Sequence, residues 1–214
     1  HKSLIKKAKK FKKKILVSIF VNYKQFNSKS DFKQYPRNLK KDLSVLKQLK
    51  VDFVYLPDKR DIYNFQVKNK IFLDKFSRKL CGKKRKGHFE GVLNVINRFL
   101  EIIKPKYLFL GIKDFQQLYL INRHIFKSKI NTKVVACKTV REKNGVACST
   151  RNETLTNSQL NLASKVYHYL NKEKKFKPIN LKKIKLHLLK IGVDKIDYLE
   201  LINIQTLKKP RTKN

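Results

Sequence analysis

At 214 residues the chain is long enough to bury a sizeable core, and its 41% hydrophobic and 11% aromatic residues fall in periodic runs, which excludes a disordered polyelectrolyte. A net charge of +38 would ordinarily point to nucleic acid or an anionic surface, but lysine occupies nearly every polar position while arginine is scarce, so the charge reads as compositional, in step with abundant Asn, Ile and Phe. Three cysteines without a C-x-x-C pair argue against a disulfide framework and a structural zinc site and fit a reducing cytoplasm, and no run approaches the ~20 apolar residues of a membrane span.

The chain opens at His1 and contains no Met, so a fragment of a longer protein is expected. Leu4, Ile5, Ala8 and Phe11 recur at helical spacing, and the apolar, β-branched run Ile15 to Val21 predicts a strand buried on both faces. Past Tyr35-Pro36, the stripe Leu39, Leu43, Leu46 and Leu49 predicts a helix, followed by a short strand from Val51 to Leu56. A longer helix is expected from about His88 to Ile103, stopped by Pro105, then a strand Tyr107 to Leu110, a helix from about Lys113 to Lys127 and a strand Lys133 to Val140. Strands alternating with helices imply an α/β fold with a mostly parallel sheet, helices on both faces, and ligands beyond the carboxyl ends of the strands. After Val140 the pattern changes to a polar turn near Gly145, helices near Ser158 to Lys172 and Leu181 to Leu189, and one strand from Ile196 to Ile202. Residues 1–140 are therefore read as the nucleotide- and substrate-binding domain and 141–214 as a small α+β domain.

Polar residues cluster where strands end. Asn22 and Gln25 follow the first strand, where amides can donate to and accept from a small polar substrate, although Asn22 in a turn-stabilising role is the plainer reading. Arg85 and His88 in KKRKGHF precede a helix and suit a carboxylate or phosphate, or else form a solvated basic loop. In FLGIKDFQQL, Gly111 permits close approach, Lys113 suits phosphate, Asp114 suits ribose hydroxyls, and Gln117 follows. Ser149, Thr150 and Arg151 place two hydroxyls and a guanidinium in series, as a clamp on a polyphosphate or as a helix cap.

In this order, SIFVNYKQF, YPR, RKGHFEGV, LGIKDFQQL, TVREKNGVACSTRN and DYLEL resemble the patterns of the pantothenate synthetase (pantoate–β-alanine ligase) family of the nucleotidyltransferase superfamily, over almost the whole chain. His1 resembles the second histidine of that superfamily's His-x-Gly-His signature, whose partner would lie upstream. The resemblance implies a Rossmann-like domain and a C-terminal lid, incomplete at the N-terminus and in the lid. It implies a reaction in which ATP and pantoate form pantoyl adenylate and pyrophosphate before β-alanine displaces AMP. By similarity, His1, Lys113, Ser149, Thr150 and Arg151 would contact the ATP phosphates, with Mg²⁺ sharing that charge. Gly111 and Asp114 would hold the ribose, Val140 the adenine edge, and Gln25 and Gln117 the pantoate. Asn22 and Arg85 would line the reaction centre, with His1, Lys113 and Arg85 catalytic, Tyr35 on a covering loop and Asp42 the candidate metal ligand. The family is commonly dimeric, so a homodimer is expected.

Several positions depart from the family patterns. Tyr23 replaces a proline, Lys41 an acidic residue, Cys81 a common glutamate, Ile112 the glutamate of GEKD, and Thr150 a serine. The threonine keeps its hydroxyl, whereas the lost acidic groups weaken the case for metal binding at Asp42. A noncatalytic remnant of the enzyme and a basic nucleic-acid-binding protein are the rival readings.

Overall fold

The computed structural model describes residues 1–26, 28–64, 70–176 and 178–210. The chain divides into two compact units, His1–Thr139 and Val140–Asn214. In the first, α1 (Lys2–Lys9) leads to β1 (Leu16–Ser18), α2 (Lys29–Gln34), α3 (Leu39–Gln48), β2 (Phe53–Tyr55) and α4 (Lys59–Tyr63). There follow α5 (Cys81–Lys84), α6 (His88–Ile103), β3 (Tyr107–Gly111), α7 (Phe115–Lys127) and β4 (Lys133–Cys137). The second unit contains α8 (Asn157–Glu173) and α9 (Leu181–Lys190).

Among the described residues both strand pairings are parallel: β1 pairs with β2, Leu16 opposite Phe53, and β3 pairs with β4, Tyr107 opposite Lys133. The pleat sends alternate β3 side chains to opposite faces. Tyr107 and Phe109 meet Phe11, just past α1, edge-on at 4.8 and 5.0 Å, while Leu108 and Leu110 join the apolar cluster of Val92, Leu93, Leu100, Ile121 and Ile125 from α6 and α7. The expected helices on both faces are thus present. Leu93 and Ile121 are fully buried, a burial worth roughly 1.5–3 kcal/mol for each such side chain. Phe99 of α6 also packs edge-on against Phe20 and Tyr55, so this helix joins both ladders.

The elements begin and end for local reasons. A reciprocal capping box between Asp58 and Asp61 starts α4, and another between Thr156 and Gln159 starts α8. Helix α6 ends where Lys104 turns left-handed ahead of Pro105, which cannot continue a helix.

Two expectations are corrected. The first strand covers Leu16–Ser18 rather than Ile15 to Val21, and Leu16 is exposed rather than buried on both faces. The helix expected from the leucine stripe is present as α3, and within it only Leu46 of the stripe is buried, with Leu39 and Leu43 exposed. Residues 196–202 form no strand, and the second unit holds, among the described residues, only the isolated antiparallel bridge between Arg141 and Ala147. An apolar run becomes a strand only where another strand can take its backbone hydrogen bonds, and among the described residues 196–202 meets none.

Candidate active site

Beyond β1 the chain makes a tight turn through Tyr23–Gln25 that lies directly against α6. Gly91 permits the approach, because a β-carbon there would stand 2.8 Å from the Lys24 carbonyl oxygen. Asn22, 2% exposed, locks the contact. Its Nδ2 donates to the Gly91 carbonyl at 3.0 Å, and its Oδ1 accepts from the Lys24 amide at 3.0 Å and from the Tyr63 hydroxyl. Burial, with a smaller contribution from Tyr23, pushes the Tyr63 hydroxyl up to about 12, so it stays protonated and donating. Both acceptor sites of the Asn22 oxygen are filled from within the protein, leaving one N–H for anything else. The turn-stabilising reading of Asn22 is therefore the one its contacts support.

The same turn collects two further candidates. Arg85 Nη2 donates to the Gln25 carbonyl at 2.9 Å and His88 Nδ1 lies 2.7 Å from it. A carbonyl only accepts, so Nδ1 carries the proton in this arrangement. Gln25 and Arg85, 60 positions apart in the chain, thus meet at one place, with the buried His88 beneath them.

The second group stands at the carboxyl end of β3. A methyl placed on Gly111 would meet no atom within 4 Å, so this strand end borders open space. Ile112–Asp114 forms a single tight turn before α7, on which Lys113 Nζ donates to both Asp114 carboxylate oxygens, at 3.2 and 3.4 Å. The side chains are 39% and 60% exposed, so water screens the pair and an arriving anion can displace it at little cost. Gln117 is half-buried in the first turn of α7, while its neighbour Gln116 is buried. Gln116 Nε2 donates to the carbonyls of Phe76 and Lys79 at 2.7 and 2.8 Å, and its Oε1 accepts from the Cys81 thiol at 2.9 Å. Burial is the main cause that raises the Cys81 thiol, which keeps it a donor, not a thiolate.

Two candidates contribute less. His1 is exposed ahead of α1, and its carbonyl, not its ring, receives the first helical amides. Asp42 lies exposed in the first turn of α3, after Lys40 and Lys41. Among the described residues no group of three or more His, Cys, Asp and Glu side chains is arranged to hold a metal. A single carboxylate beside lysines is a poor resident-cation site, so the donor set at Asp42 does not fit one.

In the second unit, the hairpin around Gly145 closes through the Glu142 amide on the Val146 carbonyl and the Cys148 amide on that of Val140. Val140, 46% exposed, belongs to this unit. The Arg141 guanidinium lies 4.2 Å above the Tyr167 ring of α8, which fastens the hairpin to the helix. Ser149 caps the short turn Thr150–Thr154 by accepting the Arg151 amide at 3.3 Å, so the cap reading of this segment holds. Thr150 is half-buried beside it, and the Arg151 side chain is exposed.

The sequence model described as Pantoate-beta-alanine ligase matches residues 1–214. The chain belongs to this family. A pantothenate synthetase of Francisella tularensis subsp. novicida is 40% identical over 177 residues, which are 81% of this chain and 67% of that relative. Among solved structures of the family, a Francisella tularensis ligase complexed with beta-gamma ATP and beta-alanine superposes with a TM-score of 0.84 at 38% identity, over 94% of this chain and 76% of that one. A pantothenate synthetase from Thermus thermophilus gives 0.89 at 27% identity, over 98% and 79%.

Sequence reasoning passed over three residues of this ligase that the structure makes prominent: Tyr63, Gly91 and Gln116. Adjacent helical residues point about 100° apart, so of Gln116 and Gln117 only one can face inward, and the motif does not say which. Tyr63 and Gly91 carry no local signal, because their partners lie far away in the chain.

Proposed function

We propose that this chain joins pantoate to β-alanine at the expense of ATP, through a pantoyl adenylate. The observation that carries the reading is the family match over residues 1–214. A carboxylate resists attack by an amine because its charge repels the nucleophile and oxide is a poor leaving group. In the first step a pantoate carboxylate oxygen attacks the α-phosphorus of ATP and pyrophosphate departs. In the second the neutral amine of β-alanine attacks the acyl carbon, AMP leaves with the bonding electron pair, and the ammonium loses a proton.

The protein's contribution is to orient the acid and spread the phosphate charge. Gln25 and Gln117 bind pantoate, with Arg85 and the remaining N–H of Asn22 beside the reacting carboxylate. Lys113 and His1 bind phosphate in the first unit, and Ser149, Thr150 and Arg151 supply phosphate-binding groups in the second. Gly111 and Asp114 take the ribose, which frees Lys113 from its ion pair, and Val140 borders the adenine. Mg²⁺ enters this proposal with ATP, as a counter-charge on the phosphates. The proposal includes a homodimer, as the family resemblance implies, in a reducing cytoplasm in keeping with the three free cysteines.

The test is stoichiometry. Incubated with ATP, pantoate and β-alanine, the chain should release AMP, pyrophosphate and pantothenate in equal amounts, and pyrophosphate but no pantothenate when β-alanine is left out. Nucleotide turnover independent of pantoate would reject the reading.

A further inference from the structure

The residues just ahead of Arg85 follow an unfavourable path. Leu80 has φ +47° and ψ −126°, outside the regions open to a side chain with a β-carbon, and such a conformation costs about 1–3 kcal/mol unless its surroundings over-determine it. Gly82 is pressed so closely on the preceding turn that a β-carbon would stand 1.8 Å from the Ser77 carbonyl oxygen. Something must hold this segment from outside, and the contacts show what does. Gln116, 6% exposed, bonds on both sides of Leu80: to the carbonyls of Phe76 and Lys79 before it and to the Cys81 thiol after it. Both amide hydrogens point at carbonyls and the amide oxygen receives the thiol, so only a carboxamide in this orientation satisfies all three partners. Arg85 then closes α5 with its amide on the Cys81 carbonyl and extends its guanidinium to the Gln25 carbonyl.

We infer that Gln116 is a positioning residue for the acid-binding half of the site, clamping the strained turn at Leu80 so that Arg85 reaches Gln25. This rests on the reading that Gln25 and Arg85 face pantoate, and Gln116 acts through them without touching substrate. The two consecutive glutamines then divide the work: Gln117 meets the ligand while Gln116 secures the opposite wall. Cys81 belongs to the same device, because a thiol donates to the Gln116 oxygen where a carboxylate would repel it.

The experiment compares wild type with Gln116→Leu, Gln116→Glu and Cys81→Ala. Hydrogen exchange is followed over residues 76–85, and pyrophosphate release is measured against pantoate and against ATP. Gln116→Leu should speed exchange in this segment and raise KM for pantoate by about tenfold or more, with KM for ATP within about twofold. Cys81→Ala, a gentler change should Gln116→Leu not fold, should move both readouts the same way by less. Gln116→Glu sets a carboxylate against two carbonyls and should be impaired above neutral pH, then regain pantoate affinity as acidification lets the neutral acid donate to one of them, a recovery that wild type does not show. Exchange and pantoate KM in Gln116→Leu within twofold of wild type would overturn the inference. So would a Gln116→Glu defect that does not change with pH. If wild type releases no pyrophosphate, the ligase reading fails by itself, and the exchange measurements still decide whether Gln116 holds the turn.

Discussion

The turn at Asn22–Gln25 and the junction at Gly111–Asp114 both follow a strand's carboxyl end, yet they are built in opposite ways. The first is cross-linked around the buried Asn22: Tyr63, Gly91, Arg85 and His88 fix it from several elements. The second is open, its charged side chains joined in an exposed ion pair between neighbours in sequence. Under the proposed function this contrast has a reason: a small hydroxy acid offers few handles and needs rigid amides placed in advance, whereas a triphosphate brings enough charge to organise lysines for itself. Substitutions in the first region should therefore cost folding and acid affinity together, and those in the second should cost catalysis alone.

The largest effect is expected from Lys113→Ala. Pyrophosphate release at saturating pantoate should fall ~10²-fold or more, the scale of losing one group that stabilises transition-state charge, while the exposed pair costs no more than ~0.5 kcal/mol of stability. Near-normal turnover would remove Lys113 from the phosphate site. Asn22→Ala should behave in the reverse sense. It strands the Lys24 amide and the Tyr63 hydroxyl, removes the bond to the Gly91 carbonyl, and should cost about 2–3 kcal/mol in denaturant unfolding, with a rise in KM for pantoate. Unchanged stability would mean the turn is not held as described. Gly91→Ala should cost about 1–3 kcal/mol by forcing the turn off α6, and an unshifted melting curve would show that the contact yields.

The smallest effect lies away from both regions, at His124, where burial holds the imidazole pKa below its usual value. Its Nδ1 accepts the Phe72 amide at 3.1 Å, so Nε2 carries the proton and donates to Asn97 Oδ1 at 3.0 Å. The neutral ring is favoured in the fold. This contribution is therefore complete above the unfolded value of about 6.5 and is lost as pH falls toward the lower folded value. Melting temperature should decline through that window, and His124→Gln should flatten that part of the decline. An identical profile for the variant would discount the histidine.

Much of this arrangement was legible in the sequence. Helix α6 runs from His88 to Ile103 as its periodicity and Pro105 predict, and α8 and α9 agree with their predicted spans to within a residue at each end. The candidates Gln25, Arg85, Gly111, Lys113 and Gln117 all lie in the same unit, near the ends of strands or the starts of helices. The strand expected at 196–202 failed because its apolar pattern says nothing about whether a partner edge exists.

Local propensity and motif order were sufficient to establish the alternating α/β pattern and the family, since each depends on neighbours in the chain. Tertiary structure alone decided that the Asn22 oxygen is consumed within the fold, that Gln116 and not Gln117 turns inward, and that Arg85 reaches Gln25. Those outcomes depend on which distant carbonyls and hydroxyls come within hydrogen-bonding distance, and a linear sequence does not encode that distance locally.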